Sequence, residues 1–178
     1  MAEPESDTDP KMRDSDPVLD ELSRKRIPYR VFTHPRRLRS LEQAAEERGQ
    51  HPGQVVRSIL FRCSGGSFVM VLAPGPRQIS WPALRRHLGV SRISMANRDE
   101  VLEQTGYPTG AVCPFGLSRP MRVIADESLF DLDEISIGSG IRGRALIMKS
   151  ADLRLALGEV ETGSFLDQTP RPTAGSQG

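Results

Sequence analysis

The residues from Thr105 to Leu117, TGYPTGAVCPFGL, are the stretch whose composition best suits chemistry. Gly106, Gly110, Pro108 and Pro114 leave little room for regular secondary structure, and the small and apolar residues between them point to a partly buried loop. Glycine lets a ligand or a strained turn come close to the main chain, and proline fixes the angle of approach. Two readings fit. One is an ordered turn between strands, as most such loops are. The other is a rigid cradle that offers backbone N–H and C=O groups to a small substrate. Cys113 lies inside the loop, but no residue near it in sequence would lower its pKa, so a small apolar lining role is expected rather than a nucleophile. His34, between Thr33 and Pro35, is expected at a strand end, and a lone histidine there is more often hydrogen-bonded structure than catalyst. The 3 His and 2 Cys residues are scattered without ligand spacing, so neither a metal nor a cofactor is expected.

These residues must be positioned by a modest framework. At 178 residues and 37% hydrophobic content, the chain suits one soluble domain with a substantial core. No apolar run approaches bilayer length, and Met1 to Asp16 is acidic and polar rather than basic-then-apolar. A cytoplasmic location is the expectation. The net charge of +1 names no polyanionic partner. Locally, however, Arg24, Lys25, Arg26, Arg30, Arg36, Arg37 and Arg39 follow one another between Leu22 and Leu41 with no acidic residue among them. Such a run either tracks a phosphate backbone or is the solvated face of an arginine-rich chain.

The polar ends read as tails, 1–15 and 161–178, around a single domain from 16 to 160. Asp16-Pro17 predicts the start of a helix reaching about Arg26. Tyr29 to Thr33 alternates as a strand, and Ser40 with Gln43 predicts a capping box before a helix ended by Gly49. Val55 to Cys63, the turn Gly65-Gly66, and Phe68 to Ala73 predict a hairpin. Ser80 and Asn97 predict two further helix starts. Met121 to Ala125, Glu134 to Ile137 and Ala145 to Met148 read as strands, and Ser150 as the cap of a last helix. Short helices without βαβ regularity imply an α+β fold around a mostly antiparallel or mixed, barrel-like sheet.

In this order of segments the chain resembles the YbaK family, aminoacyl-tRNA deacylases related to the editing domain of bacterial prolyl-tRNA synthetase. The resemblance spans Val18 to Leu157. It rests on Thr33-His34, VVRSILF (Val55 to Phe61), GYPTGAVCPFG (Gly106 to Gly116), VIADES (Val123 to Ser128) and ISIGSGIRG followed by ADL (Ile135 to Leu153). It implies a barrel-like α+β domain acting free-standing on the ester of a mischarged aminoacyl-tRNA, foremost a tRNA for proline, with an aminoacyl-tRNA synthetase as a further partner. It implies no side-chain nucleophile, and no Ser/His/Asp order or nucleophile elbow is present. The family's Gly-x-x-x-Pro segment falls on Gly110, Ala111, Val112, Cys113 and Pro114, and its second glycine loop on Gly138, Ser139 and Gly140. His34, Ser58, Phe115 and Asp126 become candidates for lining the substrate pocket, Phe115 by stacking on the terminal adenine and Asp126 by holding the α-amino group or by capping its own turn. Arg24, Lys25, Arg26, Arg36, Arg37 and Arg39 become candidates for tRNA phosphates. One departure stands out: Arg57 occupies the place of a family lysine. Arginine keeps its charge and grips anions but is a poor proton carrier. Arg57 therefore fits an electrostatic role in catalysis. The alternative is a lapsed enzyme that still binds tRNA or an aminoacyl ligand.

Overall fold

The computed structural model describes residues 15–168. Along the chain, α1 (Pro17–Arg24), β1 (Arg30–Thr33) and α2 (Leu41–Glu47) lead into the hairpin of β2 (Val56–Cys63) and β3 (Phe68–Pro74). Then come α3 (Trp81–Leu88), β4 (Ile93–Met95) and α4 (Arg98–Thr105). Beyond the glycine–proline loop lie β5 (Arg122–Asp126), β6 (Glu134–Gly138), β7 (Arg144–Lys149), α5 (Ser150–Leu157) and β8 (Glu161–Gly163).

The strands form two sheets. The smaller runs β1-β7-β6, antiparallel throughout, and the larger runs β4-β2-β3-β5-β8. In the larger sheet β2 is antiparallel to β3 and β4, whereas β3, β5 and β8 are parallel. A parallel bridge from Val55 to Ser136 joins the two sheets. The α+β class is as expected, and the barrel-like sheet resolves into two sheets meeting at that bridge.

The larger sheet is buried on both faces, which is why β3 reads as an unbroken apolar run. Met70 and Leu72 pack with Val56, Leu60, Ala125 and the smaller sheet's Ile135 and Ile137. Val69, Val71 and Ala73 face the other way, onto Phe61, Leu84, Ile124 and Phe165. Period-two alternation along a strand produces this division.

Helix starts follow the sequence with two changes. Asp16, Ser40 and Asn97 each accept the backbone N–H three residues on, at 3.2, 3.0 and 2.8 Å. The return half of the Ser40 box is missing, because Gln43 Oε1 takes the Arg39 amide at 2.8 Å instead. Ser150 does not cap α5 with its side chain: its hydroxyl donates to the Leu132 carbonyl. The expected tail from 161 is also revised. Residues 161–163 pair with β5 as β8, and Phe165 and Leu166 are buried, because the sheet's second face needs an apolar cover. Residues 1–14 and 169–178 of the expected tails lie outside the described residues.

Candidate functional site

The bridge between Val55 and Ser136 sets the register of the site. Two residues further along each strand stand Arg57 and Gly138, and both line one cavity of about 540 Å³. The volume falls within the range of small-molecule sites. Gly110 and Val112 close one wall from the glycine–proline loop, and α2 closes another with Leu41 and Ala44. Met95 and Ala96 approach from β4, whose pairing with β2 places them there.

The loop is rigid because its polar groups are tied down. The Tyr107 hydroxyl lies 2.6 Å from the Phe115 carbonyl and 2.7 Å from that of Gly116. Thr105 Oγ1 donates to the Val101 carbonyl and accepts the Tyr107 amide at 3.0 Å. The Gly140 amide donates to the Ala111 carbonyl at 2.8 Å, locking the loop to the turn after β6. Gly138 is required by this approach: a Cβ there would stand 2.5 Å from the Val112 carbonyl oxygen. Gly110 is glycine for another reason, a φ of 90° in open space. Among the described residues the Gly110 and Val112 amides have no hydrogen-bond partner, and both residues line the cavity.

Strand alternation sets Ser58 with Val56 and Leu60, and Arg57 on the opposite side of β2. Ser58 Oγ is buried and unpartnered. The Arg57 guanidinium donates to the Arg77 carbonyl while its Nε is buried without a partner, and burial lowers the pKa of the group. His34 also borders the cavity, with its side chain fully buried. Arg48 Nε–H donates to His34 Nε2 at 3.0 Å, so the ring proton lies on Nδ1 and is donated to Glu47 Oε2 at 3.2 Å. Burial first, and the Arg48 charge second, hold His34 below its ordinary 6.5.

Thus Arg57, Ser58, Gly110, Val112, Gly138 and His34 border a common space. Six other candidates do not. Ala111 is fully buried and serves as acceptor for Gly140. Pro114 lines a separate hollow with Glu21 and Lys25. Phe115 is 2% exposed, with Lys25 over its ring, and has no free face for a base. Asp126 is a cap rather than an amine ligand: it accepts the Ser128 amide at 3.0 Å and the Phe165 amide at 2.7 Å. Ser139 is buried, its hydroxyl donating to the Arg144 carbonyl at 2.9 Å. Gly140 packs against the Tyr107 ring. The thiol of Cys113 is fully buried and pushed up to about 12, which leaves no thiolate near neutral pH.

The basic stretch divides. Arg36, Arg37 and Arg39 are exposed around a polar hollow that shares Leu38 with the main cavity. Lys25 donates instead to the Ala156 carbonyl at 2.8 Å, and Arg24 borders a hollow beside Gly116. Arg26, the residue with a φ of 56°, ends the turn after α1.

Two cationic residues of the cavity were not signalled by the sequence reading. Arg144 is neutralised by Asp16 at 2.6 Å. Arg48 is half-buried at the end of α2, where a basic residue ordinarily reads as a partner of the helix dipole.

The geometry has counterparts. The aminoacyl-tRNA editing domain family matches this chain over residues 36–155. A multifunctional Ser/Thr-tRNA deacylase, ProXp-y, of Escherichia coli K12 is 32% identical over 144 residues, covering 78% of this chain and 86% of that protein. The proline–tRNA ligase of Thermosipho melanesiensis is 30% identical over 109 residues, 61% of this chain and 19% of the ligase. A solved structure provisionally described as a trans-editing enzyme for prolyl tRNA synthetase superposes with a TM-score of 0.75 at 24% identity, covering 84% of this chain and 94% of that one. With its matched region running from the arginine hollow to α5, this chain belongs to the aminoacyl-tRNA editing domain family.

Proposed function

We propose that this chain is a deacylase that acts in trans on mischarged aminoacyl-tRNA and releases a small amino acid from the terminal ribose. One observation carries the reading: a cavity roomy enough for an aminoacyl group, walled by β2, β6 and the glycine–proline loop, opens beside exposed Arg36, Arg37 and Arg39. The amino acid enters the cavity, and the acceptor end of the tRNA follows the arginine hollow. The Gly110 and Val112 amides stabilise the ester carbonyl oxygen as negative charge develops on it. Water adds to the carbonyl carbon and the ribose oxygen leaves with a proton, giving free amino acid and tRNA. The ester is already activated, so positioning and charge stabilisation are sufficient and no side-chain nucleophile is needed.

Arg57, which lines the cavity, is the residue proposed to contribute positive charge. Ser58 Oγ offers a hydrogen bond to the bound amino acid, which favours a hydroxyl-bearing side chain. Serine and threonine are named for the E. coli relative, and a ligase for proline is the other, so these substrates come first.

The test is a panel of seryl-, threonyl- and alanyl-tRNAs, including tRNA for proline charged with each, assayed for amino-acid release. Arg57→Ala is expected to lower kcat/KM by about 10²-fold, the scale of one lost charge-stabilising group, and Arg57→Lys to keep most of the activity. No release from any member of the panel would refute the reading. A wild-type protein without activity that gains it in Arg57→Lys would identify a lapsed enzyme instead.

A further inference from the structure

A chain of polar side chains runs under the cavity from α2 to β6. Glu47 holds His34 Nδ1–H, His34 Nε2 holds Arg48 Nε–H, and Arg48 Nη1 donates to Ser136 Oγ at 2.8 Å. Ser136 donates onward to Gln50 Oε1 at 2.7 Å, and Gln50 Nε2 to Glu134 Oε1 at 3.1 Å. Glu134 also receives Arg30, at 3.2 Å. Every member is fixed by its neighbours, so the Arg48 guanidinium has one orientation.

Its charge has no direct ion pair among the described residues: Glu47, bonded to His34, raises the Arg48 pKa only through space, against the larger effect of burial. Among the described residues no carboxylate lies within 4.0 Å of an Arg48 nitrogen, whereas Arg144, the other arginine that reaches the cavity from outside β2, is paired with Asp16. Burial lowers the Arg48 pKa to about 10, which still leaves it a cation at neutral pH. A partly desolvated guanidinium held rigid without a direct ion pair, at the edge of the cavity, suits an anionic oxygen from outside the chain. Nη2 has no hydrogen-bond partner among the described residues and is the donor left for it.

We infer that Arg48 is a second substrate-facing cation of this site, and that His34, neutral and clamped between Glu47 and Arg48, is the positioning residue that aims it. This rests on the editing reading for the identity of the substrate, and on the structure alone for the clamp. The anionic oxygen has two sources in an aminoacyl-tRNA end, the terminal phosphodiester and the oxyanion formed at the ester. In either case protonation of His34 removes the lone pair that Arg48 uses and sets a second positive charge 3.0 Å from it. The groups facing His34 are Glu47 and Arg48 from α2 and its end, Ser136 from β6 through Arg48, and the Phe32 ring from β1 at 4.9 Å. Arg57 and Arg144 stand across the same cavity. Because the folded pKa is depressed, the clamp is intact at neutral pH. It is lost as pH falls below 6.5, the ordinary histidine value, and through the lowered one.

The experiment measures deacylation and binding in the wild type, Arg48→Gln and His34→Gln across that pH range. Gln at residue 34 keeps an acceptor for Arg48 and cannot titrate. Arg48→Gln is expected to lower kcat/KM at least about 10-fold. A loss confined to KM assigns the phosphodiester, and a loss in kcat assigns the ester oxyanion. The wild type is expected to show an acid limb in kcat/KM that His34→Gln lacks. Arg48→Gln within twofold of wild type, or an acid limb unchanged in His34→Gln, overturns the inference. ¹⁵N spectra of the wild-type imidazole, with Nδ1 protonated and Nε2 bare at neutral pH, test the clamp without any variant; a protonated Nε2 overturns it. Should the wild type hydrolyse no charged tRNA, the editing reading falls alone. The ¹⁵N spectra then judge the clamp, and weakened binding of a CCA trinucleotide by Arg48→Gln supports the cation while unchanged binding overturns it.

Discussion

Two glycines of the cavity wall show that one residue type answers two different demands. Gly138 lies on β6 in ordinary backbone space, but its α-carbon faces the Val112 carbonyl so closely that a methyl group would sit at 2.5 Å. Gly110 has nothing near the position of a Cβ, and its φ of 90° is the sole obstacle to a side chain. The two alanine variants should therefore fail differently. Gly110→Ala costs about 1–2 kcal/mol of backbone strain and leaves the loop docked. Gly138→Ala must push the 111–112 backbone away from β6, at about 1–3 kcal/mol for overpacking, and it displaces the Val112 amide from the cavity. Denaturant melts of both proteins, read beside kcat, check this. Gly138→Ala is expected to lose much more activity than Gly110→Ala for a similar loss of stability. Equal activity in the two would show that the position of the 111–112 backbone does not matter to the reaction.

At the scale of elements, the sequence discloses whatever is written in period and punctuation. The hairpin of β2 and β3 follows from two apolar runs around Gly65-Gly66, and the helix starts from Asp16, Ser40, Ser80 and Asn97. Strands β4 and β8 escape such a reading because three residues carry no period. Their pairing partners, β2 and β5, define them. The glycine–proline loop is legible as a cradle, yet which of its residues face the cavity is not. Gly110 and Val112 do, while Ala111 and Phe115 are buried and Pro114 lines a separate hollow, a division that the bonds from Gly140 to Ala111 and from Tyr107 to Phe115 help to fix. Arg48 is hidden for a related reason, since only its distance to His34 separates it from an ordinary helix-end cation. The segment after α5 has a structural duty that its polar composition conceals. Phe165 is 1% exposed against Phe61 and Leu84, and its amide is held by Asp126. Around it, Glu161 pairs with Arg122 at 2.9 Å and with His87 at 3.2 Å. Phe165→Ala should destabilise the fold by about 3–5 kcal/mol, measured by denaturant unfolding, whereas Glu161→Gln should cost far less because its partners are largely exposed. A small effect of Phe165→Ala would mean that β8 and the residues after it are an ornament on a sheet that is stable without them.

Over the whole molecule, charge is distributed so that only part of the basic stretch can serve a polyanion bound at the cavity. Arg36, Arg37 and Arg39 are exposed beside Leu38, which the cavity and the arginine hollow share. Lys25 is held by Glu21 at 3.6 Å and by the Ala156 carbonyl, and Arg24 borders a different hollow. A net charge of +1 provides no long-range attraction to compensate for losing the local patch. Each phosphate contact to a single strand contributes about 0.7 to the slope of log affinity against log salt. Replacing Arg36, Arg37 and Arg39 together with glutamine should therefore flatten that slope by about 2 and raise KM for aminoacyl-tRNA, with kcat at saturation nearly unchanged because the residues proposed for catalysis line the cavity and not the arginine hollow. The matching triple change at Arg24, Lys25 and Arg26 should leave the slope within error of wild type. Binding of uncharged tRNA, followed by fluorescence anisotropy over a salt series, reads both. A slope that responds equally to the two triples would place the tRNA across α1 as well, and the acceptor end would then have to reach the cavity over the β1 side of the molecule.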